Sequence, residues 1–308
     1  MPLDKLQLNN ERQYKNTLLG ISLMLVSTLA FAGMHACIRL VSDTIHPFEA
    51  AFFRHLFGLL VLLPVFFRDG FASLHTTNLN LHVARGTVQA CQGLLAFLAI
   101  TLAPLAKVTA VQFTAPLFTT LAAVLILKER LSVGRIITLF IGFSGVCIVI
   151  QPGIGRLDIG TTAALISAVF FAANIILVKI LAEKESSVTI TIYQNVIATP
   201  IVLVIAIFYW STPTIWDLFW LFLLGTFGTI AHICLAEACK VADVTALLPF
   251  DYMRLVWAGL IGYLLFFETP DHWTILGGTV IFACGLYLLY YERKSTKKAD
   301  NIYGTNES

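Results

Sequence analysis

Ten apolar stretches, separated by short polar connections, constrain this chain more than anything else in it. They run at 17–41, 47–67, 79–101, 107–127, 133–151, 159–181, 188–209, 216–238, 243–266 and 272–291. About twenty apolar residues wound as a helix cross ~30 Å of hydrocarbon and satisfy every backbone group internally. The connections carry turn and cap chemistry: Asp43 to Pro47, Arg68-Asp69-Gly70, Gln151-Pro152-Gly153, Ser211 to Pro213, and Thr269-Pro270-Asp271. With 58% apolar and only 12% charged residues, the composition is far from that of a soluble domain. The pattern predicts an all-α integral membrane protein with ten transmembrane helices. The polar stretches 1–16 and 292–308 read as tails, and no length is left for a separate soluble domain.

The first span imitates a secretory signal, because Lys5, Arg12 and Lys15 precede an apolar run holding Ala30-Phe31-Ala32 before Gly33. That run continues to Val41, too far for a signal core. Orientation follows from Lys and Arg, which short loops retain on the cytoplasmic side. With the amino terminus inside, thirteen of the 20 fall on the cytoplasmic side, Lys107 and Arg156 fall outside, and Arg39, Arg54, Arg85, Lys179 and Arg254 lie within spans. Both termini are therefore expected in the cytoplasm, with the chain in the inner (plasma) membrane.

An internal repeat reinforces the count. Gly20, Ser27, Phe31, Ala32, Arg39 and Phe53 pair, 140 residues on, with Gly160, Ser167, Phe171, Ala172, Lys179 and Tyr193. Val108-Thr109-Ala110 recurs as Val244-Thr245-Ala246, and Glu129 as Glu268. The repeats span 17–151 and 159–291, five helices each. An odd number of spans per half makes the second enter from the opposite side. The charges agree: Lys128-Glu129-Arg130 is basic, whereas the surroundings of Glu268 and Asp271 hold no Lys or Arg. Two inverted five-helix repeats are the signature of a secondary transporter.

Several function classes drop out. A net charge of +2 and the lack of a basic run interleaved with aromatics argue against nucleic acid. The six cysteines all fall inside apolar stretches without zinc spacing and read as small buried hydrophobes, so no metal and no cofactor is expected. Gly153-Ile-Gly155 with Gly160 is too irregular for a dinucleotide loop, and His232 with Glu237 is not a zinc helix. Ser132 and Asp271 read as amino-terminal caps of the fifth and tenth helices.

An ionisable group near mid-bilayer costs about 2.5 to 3.5 kcal/mol or more, so it faces a wet cavity or a partner. In the ninth span Asp251 and Arg254 stand three residues apart on one helical face, where they either bind a zwitterion or hold each other. Pro249 and Pro116 each free a backbone acceptor within a span. Arg54 lies too deep in the second span to snorkel, after Glu49 and beside His55. Its repeat counterpart is Gln194, next to Tyr193 and Asn195. Gln89, Gln92, Gln112 and Asn174 add uncharged donors and acceptors, while Tyr193, Tyr252 and Trp257 add flat faces. The substrate-binding candidates are therefore Glu49, Arg54, Gln89, Gln112, Asn174, Tyr193, Gln194, Asp251, Tyr252, Arg254 and Trp257. His35 and His232 read as neutral hydrogen-bonding groups, Glu237 and Lys179 as helix-end charges. No nucleophile–base pair supports an intramembrane enzyme.

The phrases His46-Pro-Phe-Glu-Ala-Ala-Phe-Phe-Arg54, Ala84-Arg85-Gly86, Phe113-Thr-Ala-Pro-Leu-Phe118 leading to Lys128-Glu129-Arg130, and Leu248-Pro-Phe-Asp-Tyr-Met-Arg254 leading to Phe267-Glu-Thr-Pro-Asp271 resemble the ten-helix drug/metabolite transporter superfamily, EamA type. The resemblance covers about residues 17–291. It implies a cavity between helices 1–4 and 6–9 that opens alternately to each side, with helices 5 and 10 as supports. The second-span start and the Ala-Arg-Gly segment are similar to S-adenosylmethionine carriers and riboflavin carriers; amino-acid and drug exporters share the fold. The expected partners are a small amphipathic or zwitterionic metabolite and the lipid bilayer, and a homodimer is compatible with the pattern. A channel or scaffold without alternating access is the competing class.

Overall fold

The computed structural model describes residues 3–69, 76–102, 111–112, 114–129, 133–150 and 159–266, together with single residues between 272 and 290. The described residues are helical, with no strand among them. The helices are α1 (Leu3–Val41), α2 (Pro47–Asp69), α3 (Leu79–Leu102), α4 (Ala115–Ile126), α5 (Val133–Ile150), α6 (Ile159–Ala182), α7 (Ser187–Ala206), α8 (Ile215–Val241), α9 (Val244–Asp251) and α10 (Met253–Phe266). A 3-10 turn, Ile207–Tyr209, extends α7. Five stretches are long and apolar enough to cross a membrane: Asn16–Val41, Pro47–Pro64, Ile159–Ala182, Ser187–Tyr209 and Ile215–Val241. Their outward side chains, among them Leu60, Val204, Phe208 and Trp216, are large, apolar and exposed, as a lipid-facing surface requires.

Two features differ from the sequence reading. Residues 3–16, expected as part of a tail, continue α1 as helix. The fourth and ninth spans are not simple helices. Pro116 lies in the first turn of α4, where its missing N–H costs nothing, so it opens that helix and does not kink it. The ninth span breaks at Tyr252, a turn residue between α9 and α10. The caps proposed at Ser132 and Asp271 lie outside the described residues.

Packing repeats under exchange of the two halves. α1 packs along α8 and α3 along α6; α2 packs on α8 and α3 on α7; α1 meets α10 and α4 meets α6; α2 meets α7. Individual contacts obey the same exchange. Ser27 donates to the Ala231 carbonyl at 2.8 Å and Ser167 to that of Gln92 at 3.1 Å. A Cβ on Gly225 would meet the Phe57 Cβ at 2.6 Å, and one on Gly86 the Ile197 Cβ at 2.6 Å, so both helix pairs approach as only glycine permits. Residues of α1 and α2 thus correspond to α6 and α7 positions 140 further on, and Gly86 and Gln92 of α3 to Gly225 and Ala231 of α8. Along the α1–α8 seam, Gly20 meets Ala242, Ser27 meets Ala231 and Thr44 meets Asp217, so these helices run antiparallel.

Two apolar clusters close the ends of the bundle. One joins Ile21 and Met24 to Leu235, Leu247 and Phe250; the other joins Phe31, Val41 and Phe53 to Val202, Leu221 and Leu224. Along α1 and α8 they are separated by a polar layer that includes Ser27, Thr28, Thr229 and His232, joined by Gln194 and Asn195 of α7, all buried.

Candidate functional site

The break between α9 and α10 places Asp251 and Arg254 in this layer. Arg254 Nη2 donates to Asp251 Oδ1 at 2.5 Å, and its guanidinium lies 4.5 Å from the ring centre of Phe31 and 5.5 Å from that of Phe171. Those phenylalanines are repeat partners, one from each half, so the cation sits between equivalent rings of α1 and α6. Cation–π contact of this kind contributes about 0.5 to 2 kcal/mol. One turn further on, Trp257 Nε1 donates to Thr28 Oγ1 at 3.1 Å and ties α10 to α1.

Phe31 also meets the edge of His232, with ring centres 5.2 Å apart, and His232 leads to Arg54. The Arg54 Nη2 donates to His232 Nε2 at 2.5 Å and its Nη1 to His55 Nε2 at 3.3 Å. Because guanidinium nitrogens only donate, both imidazoles accept through Nε2 and carry their hydrogens on Nδ1. His55 Nδ1 then donates to Asn195 Oδ1 at 2.9 Å, whereas His232 Nδ1 finds no partner. Among the described residues no carboxylate pairs with Arg54. His35 is exposed between buried Met34 and Ala36 yet feels the charges of Arg54 and Arg254, so it looks into accessible space inside the bundle.

The other half presents amides. Asn174 Nδ2 donates to Gln89 Oε1, joining α6 to α3. Gln194 is 1% exposed, and neither its Oε1 nor its Nε2 has a partner. Arg85 is fully buried on the same face of α3, one turn below Gln89, and donates through Nη1 to the Ile190 carbonyl at 2.8 Å.

The structure brings Arg54, Asp251, Arg254 and Trp257 together, and Gln89 with Asn174 across the α3–α6 seam. It puts four other candidates elsewhere. The fully buried Glu49 pins the end of the bundle where α7 leads into α8, and its Oε2 accepts there from the Ser211 amide at 2.9 Å and hydroxyl at 2.8 Å. Tyr193, beside Gln194, turns to α3 and stacks on His82 with ring centres 4.4 Å apart. Tyr252 packs against α5, with Gly142 beneath its ring and its hydroxyl 3.4 Å from the Leu139 carbonyl. Gln112 is half-buried just before the turn that opens α4.

Sequence reasoning passed over three groups. Phe31 and Phe171 are not among its binding candidates, although aromatic identity at equivalent interior positions was the available signal. Arg85 is counted there as an intramembrane cation but not as a site residue. The clasps around Glu185 and Glu129 had no local signal, since they join segments distant in sequence. Glu185 accepts from Thr76, from Asn78 Nδ2 at 3.3 Å and from His82 Nε2 at 2.5 Å. Glu129 accepts from the amides of Val244 at 2.9 Å and Thr245 at 3.0 Å and so caps α9. Burial pushes the Glu185 carboxyl up, but the three hydrogen bonds outweigh it and hold the group below its ordinary value. Lys179, read as a solvated helix-end charge, instead donates to the Cys239 and Ala242 carbonyls at 2.6 and 2.9 Å, neutralising the carboxyl end of α8.

The two-repeat chain has parallels among known proteins. The EamA-like transporter family model matches residues 18–151 and again 158–291. The chain belongs to the EamA-like transporter family. It is 31% identical over 281 residues to the S-adenosylmethionine uptake transporter of Rickettsia prowazekii, covering 91% of this chain and 96% of that one. The riboflavin transporter of Brucella anthropi is 28% identical over 257 residues, 81% of this chain and 90% of its own. A crystal structure 19% identical in sequence superposes with a TM-score of 0.75 over 91% of this chain and 98% of its own, a likeness of fold. This EamA-like protein is thus a multi-pass membrane transporter built of two repeats.

Proposed function

We propose that this protein is a secondary transporter that moves a small amphipathic or zwitterionic metabolite, of the S-adenosylmethionine kind, across the inner membrane by alternating access. In this reading the chain makes ten spans as two inverted five-helix halves, with both termini in the cytoplasm. The exchange-related packing supports the inverted arrangement. Linked by short connections, α1 and α2 run oppositely, as do α6 and α7, and the seam contacts of each half mirror those of the other.

The observation that carries the reading is the Asp251–Arg254 pair at a helix break, held between Phe31 and Phe171 from opposite halves. A carboxylate, a guanidinium and two rings offer complementary contacts to a zwitterion bearing a flat group. Because the rings come from different halves, movement of one half against the other would remake the site from the opposite side. Both ends are clasped around it: Glu49 and Asp217 at the outer end, through Ser211 and Thr44, and Glu185 at the cytoplasmic end. Relatives named for S-adenosylmethionine uptake point to that substrate class. Riboflavin is the second reading, favoured by the paired rings and by relatives named for its transport.

The test is uptake of labelled S-adenosylmethionine, with riboflavin in parallel, into membrane vesicles holding wild type, Arg54→Ala or Asp251→Ala at matched membrane abundance. Uptake by wild type and its loss in both variants is expected. Full transport by both variants would sink the site assignment, and a wild type inert towards both metabolites would sink the substrate class.

A further inference from the structure

The half-exchange that relates α1–α8 to α6–α3 has one conspicuous exception. Arg54 of α2 corresponds to Gln194 of α7, and the step from Gln92 to Ala231 makes His232 correspond to Gly93. Where one half bonds Arg54 to His232, the other sets an amide with two unpartnered polar atoms opposite a glycine. A Cβ built on Gly93 meets nothing within 4 Å. Gly93 continues the buried face of α3 formed by Arg85, Gln89 and Phe97, so this open space is interior.

Arg85 stands two turns below Gly93 on that face. Its bond to the Ile190 carbonyl, one turn before Gln194 on α7, aims it at the same seam. The guanidinium is 0% exposed, its Nε and Nη2 have no partner, and among the described residues no carboxylate pairs with it. A buried charge without a counter-ion is expensive and persists where something of opposite charge completes it. The unpartnered buried atoms of the layer lean the same way. Arg54 Nε, Arg85 Nε and Nη2, His232 Nδ1, Arg254 Nε and Gln194 Nε2 are donors, against the acceptors Asn174 Oδ1 and Gln194 Oε1.

We propose that Arg85 and Gln194, on the α3–α7 seam that leads to the open space at Gly93, form a subsite for an anionic group of the substrate, a carboxylate or a phosphate. Asn174 Oδ1 and Gln194 Oε1 stand ready to accept from a neighbouring N–H of the same molecule. This rests on the transport reading and narrows it: the substrate carries a negative group, and a neutral flavin lacks what the second half is built to hold. Arg54 and the Asp251–Arg254 pair then serve the remainder of the molecule.

The experiment uses the purified full chain in detergent and two matched pairs of probes, S-adenosylmethionine with its carboxyl methyl ester, and riboflavin 5′-phosphate with riboflavin. Binding is read by titration calorimetry. A charge-assisted hydrogen bond contributes about 1.5 to 3 kcal/mol, so the member of one pair that carries the anionic group should bind roughly tenfold or more tightly than the mate that lacks it. The pair that shows the preference identifies carboxylate or phosphate. Arg85→Gln should erase the preference and Arg85→Lys should keep part of it. Gly93→Leu, which fills the open space and leaves the bond to Ile190 intact, should also erase it without lowering thermal stability. Equal binding within both pairs, or a preference that survives both Arg85→Gln and Gly93→Leu, would overturn the subsite while leaving the transport reading standing. Failure of all four probes to bind would overturn both.

Discussion

The two halves agree in how they pack and disagree in what they line. Ser27 and Ser167 bond equivalent carbonyls, and Gly225 and Gly86 admit equivalent neighbours. At the next positions inward the first two helices offer Met34 and Arg54, the second pair Asn174 and Gln194. Backbone approach is therefore shared, and the proposed rocking of one half against the other would need both seams alike. Interior chemistry is divided, because a small metabolite is not symmetric and its two ends need different partners.

The largest effect should come from collapsing that division. Arg54→Gln makes the halves alike at this position and removes the donor to His232 and His55. Transport should fall roughly tenfold or more in vesicle uptake, in line with a lost charge-assisted contact, with membrane abundance as the control. Gln194→Leu tests the other side. It removes an amide whose polar atoms have no partner, so thermal stability should hold or rise by about 1 kcal/mol while affinity for acidic probes drops. Equal loss of stability in both variants would mean that the two positions are alike after all.

The ends of the bundle sharpen the same contrast. Glu49→Gln and Glu185→Gln should each weaken one clasp by about 1 to 2 kcal/mol, Glu49→Gln loosening the end where α7 leads into α8 and Glu185→Gln the end where α6 leads into α7, read as faster amide exchange at 211–214 or at 183–186. Acid should mimic the second. The folded Glu185 carboxyl titrates below its ordinary value of 4.5, so its contribution is complete above that value and is lost as pH falls through the lower folded value. The smallest effect concerns Lys128, whose φ of 56° is left-handed. Lys128→Gly should stabilise by about 0.5 to 1 kcal/mol in a thermal scan, since glycine adopts this conformation freely.

Much of the scaffold was legible because hydrocarbon imposes a coarse rule on sequence. Six helices, α2, α3 and α5 to α8, lie within a few residues of their apolar stretches, and the spacing of 140 reappears as paired contacts. The fourth and ninth spans were less legible. Pro116 and Pro249 signalled irregularity, yet only the fold shows that one opens α4 and that the other precedes a break at Tyr252. Charge alone singled out Arg54, Asp251 and Arg254, because an intramembrane ion must be explained. Glu49 carried the same signal and turned out to bind Ser211, because the sequence does not show which loop lies over it. Tyr252 was an aromatic like any other until its ring was placed against Gly142.

The central claim is that one interior site is exposed to each side in turn, and counterflow tests it most directly. Purified protein in liposomes is loaded with the unlabelled metabolite that most raises its thermal midpoint, then given a trace of label outside. A carrier predicts a transient internal accumulation of label above the outside concentration, abolished by Arg54→Ala. Label that merely equilibrates, with no overshoot and no dependence on internal substrate, would contradict alternating access and make this protein a channel.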